Sequence, residues 1–167
     1  MAIGSVQAAF VGQNIGHGNK ERAKQSYRSA RNISVLFMLI GIAIAIPLAP
    51  QIIELIIGNK SLEINRVARE YSIWILATQP LMAMYNNYMS LFNGSGNNKY
   101  SLIMSLVRLW LMRIPLVLFF KYFTNIGYSG IWYAMAISNI VILALGYYFY
   151  TKVSFEKKVK KFVSFTR

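Results

Sequence analysis

A glycine-rich stretch followed by a basic cluster, residues 12–31, is the part of the sequence that most invites a chemical interpretation. It reads GQNIGHGNKERAKQSYRSAR, with five Lys or Arg residues opposed only by Glu21. Three functions are compatible with it: a phosphate-cradling loop, a nucleic-acid patch, or the cytoplasmic corner of a membrane protein. The spacing Gly12-x-x-x-Gly16-x-Gly18-Asn19 matches neither the P-loop nor the dinucleotide-binding motif, so the first is disfavoured.

Residues for catalysis or metal binding are scarce. The chain has 167 residues, with no cysteine, no aspartate, five glutamates and the single histidine His17. These totals exclude disulfides and thiolate metal sites. They also leave no paired carboxylates and no Ser-His-Asp set. We therefore predict that the chain is not an enzyme and has no catalytic residues, metal site or cofactor of its own.

A polar stripe on an otherwise apolar segment is the best candidate binding surface. At about 100° per residue, an arc of about 60° holds four polar side chains: Gln79, Asn86, Ser90 and Asn93. Amides in hydrocarbon are costly unless they are paired. The stripe therefore indicates either a water-lined cavity for a substrate or ion, or interhelical hydrogen bonds that hold a bundle together. Tyr85 and Asn87 fall off the stripe and are expected to pack or to lie near the interface.

Two arginines interrupt the next apolar segment. Arg108 continues Ser101 and Ser105 at helical spacing, and this makes it a further cavity-lining candidate. On an α-helix, Arg113 would lie about 140° away from Arg108, so the two would not share a face. Each could contact a substrate, take part in a relay or pair with a distant carboxylate. Snorkelling, or bonding to backbone carbonyls near Pro115, is the favoured alternative.

The elements that must position these residues are membrane helices. Hydrophobic residues make up 56% of the chain and charged residues only 14%, and the windows 33–53, 71–98 and 122–151 contain no charge. A bilayer core needs roughly 20 apolar helical residues. We predict an all-α integral membrane protein with about five transmembrane helices, at about 1–16, 33–56, 71–93, 101–120 and 130–150. The first is expected to be truncated.

The basic residues predict how these helices are oriented. If each crosses once, twelve Lys and Arg lie on one side, in the 18–32 loop, at Lys99 and in the 152–167 tail, and four lie on the other. The positive-inside rule then places the C-terminus in the cytoplasm. The net charge of +13 is thereby explained without nucleic-acid binding. The tail is either a membrane-surface amphipathic segment or a disordered basic end.

Three stretches resemble a known transporter family. FVGQNIGHGNKERAKQS, LFNGSGNNKYSLIMSLVRLWLMRIPL and GIWYAMAISNI are similar, in order and spacing, to the second half of multidrug and toxin extrusion (MATE) transporters. The first contains the cytoplasmic-loop motif of that resemblance: Gly12, Gln13, Gly16, Gly18, Asn19 and Arg22. Residues 1–151 would then form most of one six-helix C-terminal lobe, although His17 replaces the small residue expected there.

The resemblance implies a multidrug efflux antiporter in a prokaryotic plasma (cell inner) membrane. Such proteins move organic cations or drugs outward while sodium or protons move inward, between two six-helix lobes. The family's important carboxylates have no counterpart in these spans, so the coupling-ion site cannot be carried over. The chain is expected to be a fragment or split half that needs an N-terminal lobe and does not transport alone. The alternatives are a lipid-linked saccharide exporter or flippase of a related superfamily, and a non-transporting membrane subunit.

Overall fold

Five helices joined by short turns make up the described part of the chain. The computed structural model describes residues 2–57 and 62–153, and these residues contain no β-strand. The helices are α1 (Ala2–Gly16), α2 (Lys20–Ile57), α3 (Leu62–Gly94), α4 (Asn98–Phe123) and α5 (Ser129–Lys152). The predicted all-α membrane fold is confirmed. Residues 154–167 of the predicted basic tail lie outside the described residues.

Three of these helices, α2, α4 and α5, are long and apolar enough to cross a membrane. Helix α1 has 15 residues, which is short for a bilayer core of about 30 Å. Helix α3 has 33 residues but carries several charges and amides. Both pack against α2 and against each other, so they belong to the same bundle as the three apolar helices.

The basic residues that follow Asn19 are helical, and the predicted loop over 18–32 is wrong for most of its length. Asn19 Oδ1 accepts a hydrogen bond from the backbone N–H of Arg22 at 3.1 Å. This contact caps the N-terminus of α2, and Glu21 lies in the first turn, where a negative charge favours the helix. Counting uncharged residues detects the apolar part of a helix but not its charged first turns. For the same reason α3 begins at Leu62 rather than near residue 71.

Two turns with the same sequence pattern, Gly-x-Gly-Asn, end α1 and α3. Their third residues, Gly18 and Gly96, have positive φ angles of 76° and 69°, a conformation that glycine adopts without a Cβ penalty. In each turn the asparagine N–H closes back on the ending helix, from Asn19 to the Asn14 carbonyl at 2.9 Å and from Asn97 to the Phe92 carbonyl at 2.8 Å. Each turn therefore stops one helix and starts the next.

Small residues bring α1 and α3 into backbone contact. A Cβ added to Gly94 would collide with the backbone of Ala8, and one added to Gly12 would lie 3.1 Å from the Gly94 carbonyl oxygen. One turn further along, a Cβ on Gly4 would lie 2.7 Å from Ser90 Oγ. The four-residue spacing of small side chains in α1 is therefore a packing surface, as its sequence indicates. The same spacing in α2 is not packed throughout, because Gly41 has no neighbour within 4 Å.

Aromatic side chains cluster at both ends of the bundle. Near the two Gly-x-Gly-Asn turns, the Tyr27 and Tyr150 rings lie 5.5 Å apart and those of Tyr100 and Phe149 lie 4.8 Å apart. At the other end, the ring of Trp132 lies 6.3 Å from that of Tyr71. These contacts show that successive helices run in opposite directions. The first turns of α2 and α4 and the last turn of α5 thus lie at the same end, together with the basic residues they carry.

The contact between α1 and α3 generates a stability prediction. Replacing Gly94 with alanine should lower the free energy of unfolding by about 1–3 kcal/mol, because the added methyl group overpacks a backbone contact. The matched variant Gly41→Ala adds the same methyl group where there is open space, so its stability should be unchanged or slightly higher. Thermal unfolding in detergent, followed by circular dichroism, compares them. Equal midpoints for both variants would contradict the prediction.

Candidate functional site

The structure divides the predicted polar stripe on α3 into two parts. Asn86 and Asn93 are exposed and Gln79 is half-buried, whereas Ser90 is buried. Ser90 lies beside Gly4, so it belongs to the packing surface between α1 and α3. Gln79, Asn86 and Asn93 are spaced seven residues apart and therefore lie along one face of the helix. We refer to these three residues as the amide face.

The amide face has a physical requirement that an apolar face does not have. An unpaired amide in hydrocarbon costs several kcal/mol. The exposed Asn86 and Asn93 are therefore unsuited to contact with lipid tails. Water or a polar protein surface satisfies them, and both are compatible with their exposure in this bundle. Of the two interpretations given by the sequence, helix packing applies to Ser90, and a water-lined cavity at Asn86 and Asn93 stays a prediction.

A buried amide pair that the stripe analysis missed lies between α1 and α3. Gln7 Nε2 donates a hydrogen bond to the backbone carbonyl of Asn87 at 3.1 Å, and Asn87 Nδ2 donates to the Ala83 carbonyl at 2.7 Å. Both side chains are almost completely buried. The expectation that Asn87 packs is correct. Its partner could have been sought from Gln7, which lies next to Ala8 on the small-residue surface of α1.

The Arg108 side chain packs against α3 and does not snorkel towards a headgroup region. Its guanidinium carbon is 4.2 Å from the centre of the Tyr85 ring, and its Nη1 donates to Met82 Sδ at 3.2 Å. The Tyr85 hydroxyl is 3.2 Å from Ser105 Oγ. The preference for snorkelling or backbone-carbonyl bonding is therefore wrong for Arg108, because a cation–π contact with a buried tyrosine supplies a partner. Tyr85, expected to pack or to lie near the interface, is buried and is part of this cluster.

The middle of α4 is a π-helix, Val107–Arg113, between two α-helical parts, Asn98–Leu106 and Ile114–Phe123. A π-helix has i→i+5 hydrogen bonds, and π turns are frequent at functional sites. Arg108 and Arg113 are five residues apart within this segment, and residues at this spacing become neighbours on one side of a π-helix. The prediction that these arginines cannot share a face is wrong, because it assumed 3.6 residues per turn.

The predicted cytoplasmic-loop motif is mainly structural. Gly12 contacts Gly94, Gly16 ends α1, Gly18 forms the left-handed turn and Asn19 caps α2. Gln13 and Arg22 instead line an open groove of about 510 Å³ between α1 and α2. Its other lining residues are Phe10, Asn14, His17, Gln25, Ser26 and Ser29. The motif therefore builds the corner and leaves a polar groove beside it.

Carboxylates are remote from the amide face and from the arginines. Glu21 pairs with Lys24 and Glu70 pairs with Arg66, both at 3.2 Å, while Glu54 and Glu63 are exposed. Across residues 2–57 and 62–153, no group of three His, Cys, Asp or Glu side chains could hold a metal ion. This part of the chain thus offers amides, aromatic rings and guanidinium groups, and no carboxylate at the amide face for a coupling cation.

Comparison with known proteins gives one family and one fold. The MatE family model matches residues 1–119. An inward-facing multidrug resistance MATE family transporter of the MOP superfamily is similar over 89% of this chain and 34% of its own, with a TM-score of 0.81 and 21% identity. An outward-facing one covers 87% of this chain and 32% of its own, with a TM-score of 0.78 and 23% identity. Curated protein sequences give no match.

The Arg108 and Tyr85 contact generates a second stability prediction. Replacing Tyr85 with leucine removes the aromatic face and should lower the free energy of unfolding by about 2 kcal/mol, the size of a desolvated cation–π contact. Tyr85→Phe keeps the ring and loses only the contact with Ser105, so it should lower stability by about 1 kcal/mol or less. Thermal midpoints in detergent test the order. A phenylalanine variant as unstable as the leucine variant would contradict the cation–π account.

Proposed function

The chain belongs to the MatE family, and from this premise we propose that it forms part of a drug and organic-cation efflux antiporter driven by sodium or proton influx. The amide face of α3 is the observation that carries this proposal. Ligand sites are mostly apolar but need a few placed polar groups, and transporter sites lie near the bilayer midplane between repeats. Asn86 and Asn93 offer exposed polar groups on an apolar helix, and Gln79 extends them towards the middle of α3.

The proposal includes a second lobe. The chain spans about one third of the length of the solved MATE transporters it resembles. Alternating access is a rocking of one helical repeat or bundle against another around a central site. We propose that an N-terminal lobe covers the amide face across that site and that this chain does not transport alone. Since the first lobe would also supply carboxylates, the coupling cation would bind outside the residues described here.

The orientation and location follow from the basic residues. The first turns of α2, the start of α4 and the end of α5 carry Lys and Arg at one end of the bundle. The positive-inside rule supports a cytoplasmic location for this end. With the family resemblance, this favours a multi-pass protein of a prokaryotic plasma membrane with a cytoplasmic C-terminus.

One observation favours the second candidate, export of lipid-linked saccharides. Such substrates carry phosphate groups, and α4 offers two arginines and no carboxylate. Purified complete transporter would separate the two functions by whether it binds hydrophobic cations or polyprenyl-linked glycans. A stable complex with an unrelated protein, in place of a first lobe, would instead favour a non-transporting subunit.

Efflux from living cells tests the need for two lobes. A drug-sensitive host expressing this chain alone should accumulate ethidium as the empty host does. Co-expression with a MATE first lobe as a separate chain should restore efflux, and a first lobe alone is the control. Efflux by this chain without a first lobe would refute the proposal.

Cysteine accessibility tests whether the amide face is hydrated. The chain has no cysteine, so a single Asn86→Cys variant can be labelled specifically. Leu106→Cys is the matched control, because Asn86 lies eight residues before the end of α3 and Leu106 eight residues after the start of α4. Both positions are exposed. A membrane-impermeant thiol reagent should label Asn86→Cys in membrane vesicles at least about tenfold faster, because thiols react as hydrated thiolates. Equal rates would contradict a hydrated face.

A further inference from the structure

Arg108 and Arg113 lie near the middle of the apolar helix α4. Each is ten residues from the nearer end of the helix, Asn98 or Phe123. Because α4 is longer than the apolar core, the distance to the core edge is shorter: within the predicted span 101–120 each lies seven residues, about 10 Å, from the nearer end, which is still farther than an arginine side chain extends. Neither guanidinium can reach a headgroup region by snorkelling, so both must be satisfied at mid-membrane depth.

Both arginines retain unused hydrogen-bonding capacity. Arg108 Nε and Arg113 Nε are buried and have no hydrogen-bond partner among residues 2–57 and 62–153. Arg108 uses one terminal nitrogen on Met82 Sδ and one face on Tyr85. Buried guanidinium donors normally have acceptors. The described residues do not supply acceptors for these two Nε atoms.

The charges of the pair are also uncompensated. No carboxylate of the described chain lies within 4 Å of either arginine, and Glu21 and Glu70 pair with basic residues elsewhere. Two like charges close together in a membrane are costly. An anion between them would remove the repulsion and supply the missing acceptors. Guanidinium groups match the two oxygens of a carboxylate or phosphate in a bidentate geometry.

We propose that Arg108 and Arg113, brought to one side of α4 by the π turn, bind the carboxylate or phosphate of an amphipathic molecule. The depth of the pair excludes the headgroup of a lipid at rest in the bilayer. The occupant is therefore a molecule that enters the bundle with an apolar body and one anionic group. As a statement about substrates this rests on the proposed transport function, and it extends the substrate class from cations to amphipathic anions and zwitterions. Anion binding itself does not depend on transport.

Binding to a fluorescent carboxylate tests the proposal on the chain as it exists. The full chain is placed in phosphatidylcholine nanodiscs and titrated with dansyl-undecanoate, and energy transfer from tryptophan reports the bound probe. Trp110 lies within the π segment and is well placed to be the donor. The dansyl-undecanoic amide, which has the same apolar body without the charge, measures partitioning into lipid. The carboxylate should saturate the signal and the amide should not.

The variants separate the pair from general positive charge. Arg108→Gln and Arg113→Gln should each weaken binding at least about tenfold, because each removes charge-assisted hydrogen bonds. Lys121→Gln removes a positive charge from the exposed end of the same helix and should change affinity less than about twofold, since exposed charges are well screened. Arg108→Lys and Arg113→Lys keep the positive charge but lose the bidentate geometry of the guanidinium group, so they should give intermediate affinity.

Three outcomes would overturn the proposal. One is wild-type affinity in both glutamine variants, and another is equal saturation by the amide probe. The third is displacement of the carboxylate probe by phosphatidic acid in the nanodisc but not by free laurate, which would assign the site to a membrane lipid. If the glutamine variants lose helicity, the lysine variants and the amide probe still test whether the arginine pair binds the anion. Because binding is measured without transport, a failed efflux experiment would contradict the proposed transport function and not the proposed anion binding.

Discussion

The backbone contact between α1 and α3 is the constraint on which the rest of the bundle depends. In lipid, helices gain little from burying apolar surface, so close van der Waals packing and interhelical hydrogen bonds must hold them together. Gly94 against Ala8, with Gly4 against Ser90, supplies the first, and Gln7 with Asn87 supplies the second. This surface orients α3, and the orientation of α3 turns Asn86 and Asn93 outward.

Tyr85 extends this arrangement to α4. It lies two residues before Asn87 and faces away from α1, where its ring supports Arg108 and its hydroxyl meets Ser105. Helix α3 therefore has three sides with three roles. One side packs, one offers amides to water or protein, and one supports a cation. Because α3 has polar groups on several sides, it is not among the helices that are apolar enough to cross a membrane by length and composition.

Much of the fold could be predicted from the sequence, because charge-free windows and small-residue spacing are local signals. The charge-free windows predicted the number of helices and their antiparallel order, and the four-residue spacing of small side chains in α1 is visible in the same way. They did not give the start of α2, because capping by Asn19 adds charged turns to an apolar helix. The arginine pair was missed for another reason. The angles between side chains were calculated for an α-helix, and the residues VRLWLMR do not indicate a π-helix.

The π turn also sets the phase between the two halves of α4. The first half faces the core with Ser101 and Met104, and the second places Phe120 over Gly130 of α5. A π turn contains about one residue more than an α turn. Deleting that residue would rotate one half by about 100° relative to the other, so Met104 and Phe120 could not both keep their neighbours. Residues 107–113 thus act as a spacer whose length couples two separate helix contacts.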